Sequence, residues 1–293
     1  MAIVNVTPDS FYDGGRLHDG RAPRWSAVVE HARRCVEQGA AVLDVGGEST
    51  RPGAEPVDPE QERQRVVPVI ERLRDDPGLR DVPISIDTRR ASVATAALEA
   101  GASIVNDISG LADPAMAAQV ASYGAGLVVG HLRGEPRTMQ RTVSFEHVLA
   151  EVADELRQRI ERARAAGVEH ARIVVDPGIG FGKTAPQSAA LVAASRELIE
   201  ATGCPVLVGA SRKSFLGALT DGREASGRLA GSLAAALVAV EYGARVLRVH
   251  DVGDTVQALT VARSIRQAYR SLRAMDRAGT DSARAARPQE VLR

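Results

Sequence analysis

Polar residues recur at the ends of short apolar runs along this chain: Asn5, Asp44, Asp87, Asn106, His131, Asp176, Ser211 and His250. One Asp or Asn before a helix is ordinarily a cap. Eight in succession imply a shared site. The last two runs lead into Ser211-Arg-Lys-Ser214 and Arg248-Val-His-Asp251. Cations, hydroxyls and an imidazole converging there suit a phosphorylated or pyrophosphorylated ligand. Asp87 and Asp176 could accept hydrogen bonds from a planar heterocycle rich in N–H groups, or stabilise a developing cation. Asn106 offers both a donor and an acceptor to a heterocycle edge. Nearly every other cation is Arg, the two lysines being Lys183 and Lys213, both in short Gly- or Ser-containing loops.

The elements that must position these groups are also legible. Unbroken apolar, β-branched runs at 3–6, 42–45, 84–87, 104–106, 127–129, 173–176, 206–208 and 246–249 read as strands buried on both faces. Helical spacing lies between them: Val66, Ile70 and Leu73; Leu149, Val152, Leu156 and Ile160; Val256, Leu259 and Ala262. Gly39, Gly101, Gly124, Gly167, Gly203 and Gly243 stand just ahead of strands, as helix stops. Eight strands alternating with eight helices predict an α/β fold, a single-domain (β/α)₈ barrel over residues 1–273, with the strand-end residues on its ligand-binding rim. A doubly wound sheet is the alternative, but no Gly-x-Gly-x-x-Gly follows the first strand. Residues 274–293 are rich in Arg, Ala, Asp and Ser and read as a disordered tail.

Composition narrows the function. The 293 residues carry 37 basic and 37 acidic side chains, and that balance argues against a nucleic-acid binder. The N-terminal residues have no signal-peptide pattern, and the apolar stretch at 229–240 is short of the ~20 residues of a membrane span. A soluble, cytoplasmic protein with reduced Cys35 and Cys204 is expected. Residues 178–184 imitate a phosphate-binding loop, but Pro177 occupies the place of its first glycine. Lys213 likewise replaces the closing glycine of a nucleophile elbow. No histidine pair has the spacing of a zinc hydrolase.

The loops together resemble those of dihydropteroate synthases, the pterin-binding barrel enzymes of folate synthesis. The matching blocks are Asn5-Val-Thr-Pro-Asp-Ser-Phe-Tyr-Asp-Gly-Gly15, Gly46-Gly-Glu-Ser-Thr-Arg-Pro-Gly-Ala54, Ser85-Ile-Asp-Thr88, Asn106-Asp-Ile-Ser-Gly110, Asp176-Pro-Gly-Ile-Gly-Phe-Gly-Lys-Thr184, Ser211-Arg-Lys-Ser-Phe215 and Arg248-Val-His-Asp251. Seven blocks in order span roughly residues 2–270. The resemblance implies condensation of 6-hydroxymethyl-7,8-dihydropterin pyrophosphate with p-aminobenzoate, by loss of pyrophosphate before the arylamine attacks. It implies that Asp87, Asn106, Asp176 and Lys213 hold the pterin, and that Arg248, His250 and Asn5 hold the pyrophosphate, Asn5 also touching Mg²⁺. Thr50, Pro52, Phe181 and Ser214 would frame the aminobenzoate. Arg51 and Asp13 would belong to loops closing over the reacting centre. A homodimer through the later helices and sensitivity to sulfonamides, which mimic p-aminobenzoate, are further implications.

Two rivals share parts of this pattern. A methyltetrahydrofolate methyltransferase type of barrel would keep the pterin-facing acids but needs no anion site. A catalytically silent pterin-binding paralogue would bind without turnover. Departures from the family pattern include Gly130 where Met is common, which is expected to remove apolar volume from the pterin floor. Tyr12 stands where Ser is usual, and Gln187-Ser188 where His-Asn is common.

Overall fold

A computed structural model describes residues 1–7, 25–49, 55–141 and 143–285, with side chains as far as 274. Parallel strands β1 (Ala2–Asn5), β2 (Leu43–Gly46), β3 (Ile84–Asp87), β4 (Ile104–Asp107), β5 (Gly126–Gly130) and β6 (Ile173–Asp176) pair in sequence order. Strands β7 (Leu207–Val208) and β8 (Val246–Leu247) form a parallel pair. Single bridges Val175↔Val206 and Ala2↔Val249 join this pair to the larger sheet on both sides. The eight strands thus run round a closed (β/α)₈ barrel. Side chains alternate. Val45, Ile84, Ile86, Val105, Leu127, Val129, Ile173 and Val175 are all buried in one apolar core, while Asp44, Ser85, Asp87, Asn106 and Asp176 share the remaining positions.

The connecting helices are α1 (Trp25–Glu37), α2 (Pro59–Asp75), α3 (Ala91–Glu99), α4 (Met116–Ser122), α5 (Val148–Ala165), α6 (Ala185–Val192), α7 (Ser195–Thr202), α8 (Ser214–Ala218), α9 (Leu229–Glu241) and α10 (Val252–Ala285). In α2 the Asp58 carboxylate caps Glu60 N–H at 2.9 Å, Pro59 follows it, and Val66, Ile70 and Leu73 are wholly buried. Burying each of those three contributes about 1.5–3 kcal/mol. All six helix-stop glycines have positive φ.

Two expectations are corrected. Ten α-helices, not eight, occur among the described residues, because the chain after β6 and after β7 forms two helices each. The β6 connection breaks at Ala193–Ala194, between the Thr184–Gln187 capping box of α6 and the separate start of α7. In α10 Val252 and Thr255 are buried and Leu259 and Ala262 partly so, while Val256 is exposed near Gly39, so the inward face runs 252/255/259/262 and leaves Val256 at its edge. The same helix is described as far as Ala285. No helix among the described residues is long and apolar enough to cross a membrane. Cys35 and Cys204 are free and buried, and desolvation raises both thiols, Cys204 to about 11.

Candidate active site

Register places the candidate groups in rows. Asn5 pairs with Gly46, Gly46 with Asp87, and Asp87 with Asn106, one row at the C-terminal rim of β1 to β4. Asp176 pairs with Gly130 on the same rim. Asp44 is not at its strand's end. It pairs with Ser85, two residues below the Gly46–Asp87 pair, so its carboxylate belongs to the next layer down. The reading of Asp44 as a rim residue is corrected accordingly, because β2 extends through Gly46.

Arg248 organises this floor. Its Nε donates to Asp44 Oδ2 at 2.6 Å and its Nη2 to Asp87 Oδ2 at 2.6 Å. Despite desolvation, those two carboxylates hold the guanidinium above its ordinary pKa. Desolvation pushes the Asp87 carboxyl up to about 7, with Arg248 opposing and Asp44 reinforcing the shift. Asn106 Nδ2 donates to Asp44 Oδ2 at 3.3 Å. Four oxygens here, Asp44 Oδ1, Asp87 Oδ1, Asn106 Oδ1 and Ser85 Oγ, are buried without a hydrogen-bond partner. Unpaired buried acceptors cost about 1–3 kcal/mol each. Their clustering on β2, β3 and β4 fits a ligand that presents N–H groups.

Across the barrel, Asp176 Oδ1 accepts from Gly178 N–H at 2.7 Å, and Lys213 Nζ donates to the Ile179 carbonyl. Lys213 Nζ also sits 4.2 Å from the centre of the Phe181 ring. A side chain at Gly209 would fill the space between Asp176, Lys213 and Arg248, its Cβ 3.8–4.0 Å from each. The glycine keeps that space open. Desolvation lowers the Lys213 ammonium to about 8, with Asp176 partly restoring it.

The anion loops are tied together. Ser211 Oγ lies 3.0 Å from His250 Nδ1 and accepts from His250 N–H at 3.2 Å. Arg212, in the left-handed region at φ 58°, makes a two-pronged pair with Asp251. Ser214 opens α8 and is exposed. Glu48 accepts from Val57 N–H at 3.0 Å and pairs with Arg89 and Arg90, while Arg90 also reaches Glu62 and the Val57 carbonyl. That network joins the ends of the second loop. Asp13, Thr50, Arg51 and Pro52, with Tyr12, lie outside the described residues.

The structure therefore brings Asp87, Asn106 and Arg248 together, and Asp176, Lys213 and Phe181 together. Asp44 was expected in the row of site residues but was given no role of its own. Its signal was a charge in the middle of a strand run, where a core residue belongs. Gln187 closes the α6 capping box, and Ser188 Oγ accepts from Gly180 N–H at 3.2 Å, so both residues stabilise the loop beside Phe181. The expected loss of volume at Gly130 is also corrected. A Cβ there would meet Ile108 Cα at 2.5 Å and the Asp107 carbonyl at 2.8 Å, so backbone already fills the space. Gly130→Met is expected to destabilise the fold by about 3 kcal/mol or more, read by urea unfolding. A variant as stable as the parent would show that β4 and β5 can move apart.

As for metal, no group of three His, Cys, Asp or Glu among the described residues is placed to hold an ion. Mg²⁺ commonly keeps several waters and takes one or two protein oxygens plus phosphates. Asn5 Oδ1, 3.1 Å from where a Gly46 side chain would begin, fits that role.

The family model for pterin binding enzymes matches residues 1–250. A dihydropteroate synthase of Mycobacterium leprae is 44% identical over 268 residues, covering 89% of this chain and 91% of that one. A Yersinia pestis dihydropteroate synthase, solved with a sulfonamide drug complex, superposes with a TM-score of 0.84 at 38% identity, covering 91% and 94% of the two chains. A Burkholderia cenocepacia dihydropteroate synthase complexed with 7,8-dihydropteroate gives 0.81 at 42% identity, with 92% of each chain covered. Against a longer Haloferax volcanii relative, named a probable bifunctional folylpolyglutamate synthase/dihydropteroate synthase, the chain is 43% identical and spans 31% of its length.

Proposed function

The chain belongs to the pterin binding enzymes, as one of the dihydropteroate synthases, and we propose how its residues carry out that condensation. The pterin edge lies between the two carboxylate groups. Asp87, Asn106 and Asp176 accept its N–H groups and Lys213 donates to it. The buried, partnerless oxygens on β2 to β4 are the observation that carries this reading. Ser211, His250 and Arg248 hold the pyrophosphate oxygens, and Asn5 would hold Mg²⁺, which when bound would offset the charge gathering on the leaving pyrophosphate. The pterin C–O bond breaks with its electron pair leaving on pyrophosphate. The methylene cation is held by the carboxylates of Asp87 and Asp176 until the arylamine nitrogen bonds to it and sheds a proton. Phe181 and Ser214 frame the aminobenzoate, with Thr50 and Pro52, while Asp13 and Arg51 close over it. An arylamine is already a nucleophile, so the reaction needs no activated serine or cysteine.

Incubation with dihydropterin pyrophosphate and Mg²⁺ is expected to release pyrophosphate only when p-aminobenzoate is added, with 7,8-dihydropteroate appearing in step. Sulfonamide is expected to inhibit competitively with p-aminobenzoate. Tight pterin binding without release would instead establish a silent pterin-binding protein.

The same reading includes a cytoplasmic homodimer. Val261, Ile265, Tyr269 and Leu272 form an exposed apolar stripe along α10, beside exposed Val238 and Tyr242 of α9, and a second copy would cover it. Sedimentation should show a dimer that Ile265→Glu converts to monomer. A monomeric parent protein at micromolar concentration would exclude it.

A further inference from the structure

The two lysines of this chain grip one phenylalanine from opposite ends. Lys213 Nζ lies over the Phe181 ring, and Lys183 Nζ donates to the Phe181 carbonyl at 3.0 Å. Lys183 is almost wholly buried, only 3% exposed. Its other contacts lie on β5's rim: His131 Nδ1 at 3.0 Å and the His131 carbonyl at 3.4 Å. His131 is fully buried, with Nε2 3.1 Å from Glu155 Oε2 on α5, and Arg133 donates to the same carboxylate group at 2.8 Å. The Phe145 ring stacks beside His131 at 6.0 Å and beneath Arg133 at 3.9 Å. The backbones are in contact as well, since a side chain at Gly178 would collide with the His131 carbonyl.

We propose that Lys183, anchored on His131 and through it on Glu155, is a positioning residue that sets the height of Phe181 against the aminobenzoate. The inference rests on the reading of Phe181 given above. The chemistry of the contact fixes its direction. As an ammonium, with three donors and no acceptor, Lys183 takes His131 Nδ1 as its acceptor, which puts the imidazole proton on Nε2, 3.1 Å from Glu155 Oε2. The carbonyl of residue 181 takes one of the remaining donors. The loop is thereby tied at one residue to the end of β5 and to α5.

Energetics argue that this cation is not there for stability. Desolvation lowers the Lys183 ammonium to about 7, and the Lys213 and Arg159 charges lower it further, against Asp176 and Glu155. Desolvation likewise lowers the His131 imidazole to about 4, so it stays neutral as the acceptor role demands. A methionine would fill the same volume without a buried charge.

The test is a split between substrates. Lys183→Met and His131→Leu should raise the KM for p-aminobenzoate at least 10-fold while changing the dissociation constant of dihydropterin pyrophosphate less than 3-fold. His131→Asn, whose Oδ1 can replace Nδ1 as the acceptor, should restore the p-aminobenzoate KM to within 3-fold of the parent. Folded Lys183→Met with an unchanged p-aminobenzoate KM overturns the proposal, as do equal losses on both substrates. If Lys183→Met does not fold, the histidine pair decides, and equal behaviour of Asn and Leu overturns it. Parent protein that binds the pterin without forming dihydropteroate counts against the functional reading instead. The 4-fluorophenylalanine resonance of Phe181 then decides the positioning role, by shifting in His131→Leu and not in His131→Asn. No shift in either overturns it.

Discussion

Replacing Arg248 with methionine is expected to cost about 3–5 kcal/mol of folding stability, the usual price of stranding buried charge. Arg248 is the shared partner of Asp44 and Asp87, whose remaining oxygens have no hydrogen bond to fall back on. Without the guanidinium, two carboxylates on neighbouring strands face each other in the barrel interior. The loss should depend on pH. Asp87 has a raised folded-state pKa, so the folded protein holds its proton more tightly than the unfolded chain does. Its contribution is complete below about 4 and is lost as pH rises through about 7. Removing Arg248 raises that pKa further, so the deficit should be largest at pH 8 and shrink toward pH 5. Asp44→Asn in the same chain should recover more than half of the loss. Urea unfolding of the two single variants and the double variant measures this directly. A single-variant cost below about 1 kcal/mol, independent of pH, would show that the interior carboxylates are solvated.

Lys213→Ala should instead separate activity from stability. The side chain is half-buried at the rim, and its hydrogen bond is to the carbonyl of Ile179. Truncation therefore removes little core, and a melting temperature within a few degrees of the parent is expected. Turnover should fall about 10²–10³-fold, the range for removing one charge-stabilising donor. Because the ammonium has a pKa of about 8, its charge is lost as pH rises through that value. In the parent, kcat/KM for the pterin substrate should decline above about pH 8. Lys213→Arg, which keeps its charge there, should show a weaker decline even if its rate is lower. A variant that melts or aggregates would assign the lysine to the fold.

Local patterns carried most of the architecture. Strand runs, helix-stop glycines and the α2 face depend on neighbours within a few residues, and each is found within two residues of where the spacing puts it. What failed was non-local. Which layer Asp44 occupies is decided by its register with Ser85 across the sheet, and the packing at Gly130 by the approach of Ile108. Arg248 offered no sign in its own stretch that it would reach down to two carboxylates contributed by distant strands. Lys183 and His131 were noticeable as residue types, but 52 positions separate them, and only the fold shows that they meet.

The bridge between Ala2 and Val249 has a temporal meaning. A ribosome adding about 5–20 residues per second takes roughly 12–50 s to travel from the first strand to the last. Throughout that interval β1 can pair with β2, while Val249, its bridge partner on the other side, is not yet made. Over that interval the nascent polypeptide carries an open sheet margin, exposed to chaperones or to neighbouring chains on the same messenger. The fold can only be sealed after translation has passed residue 249.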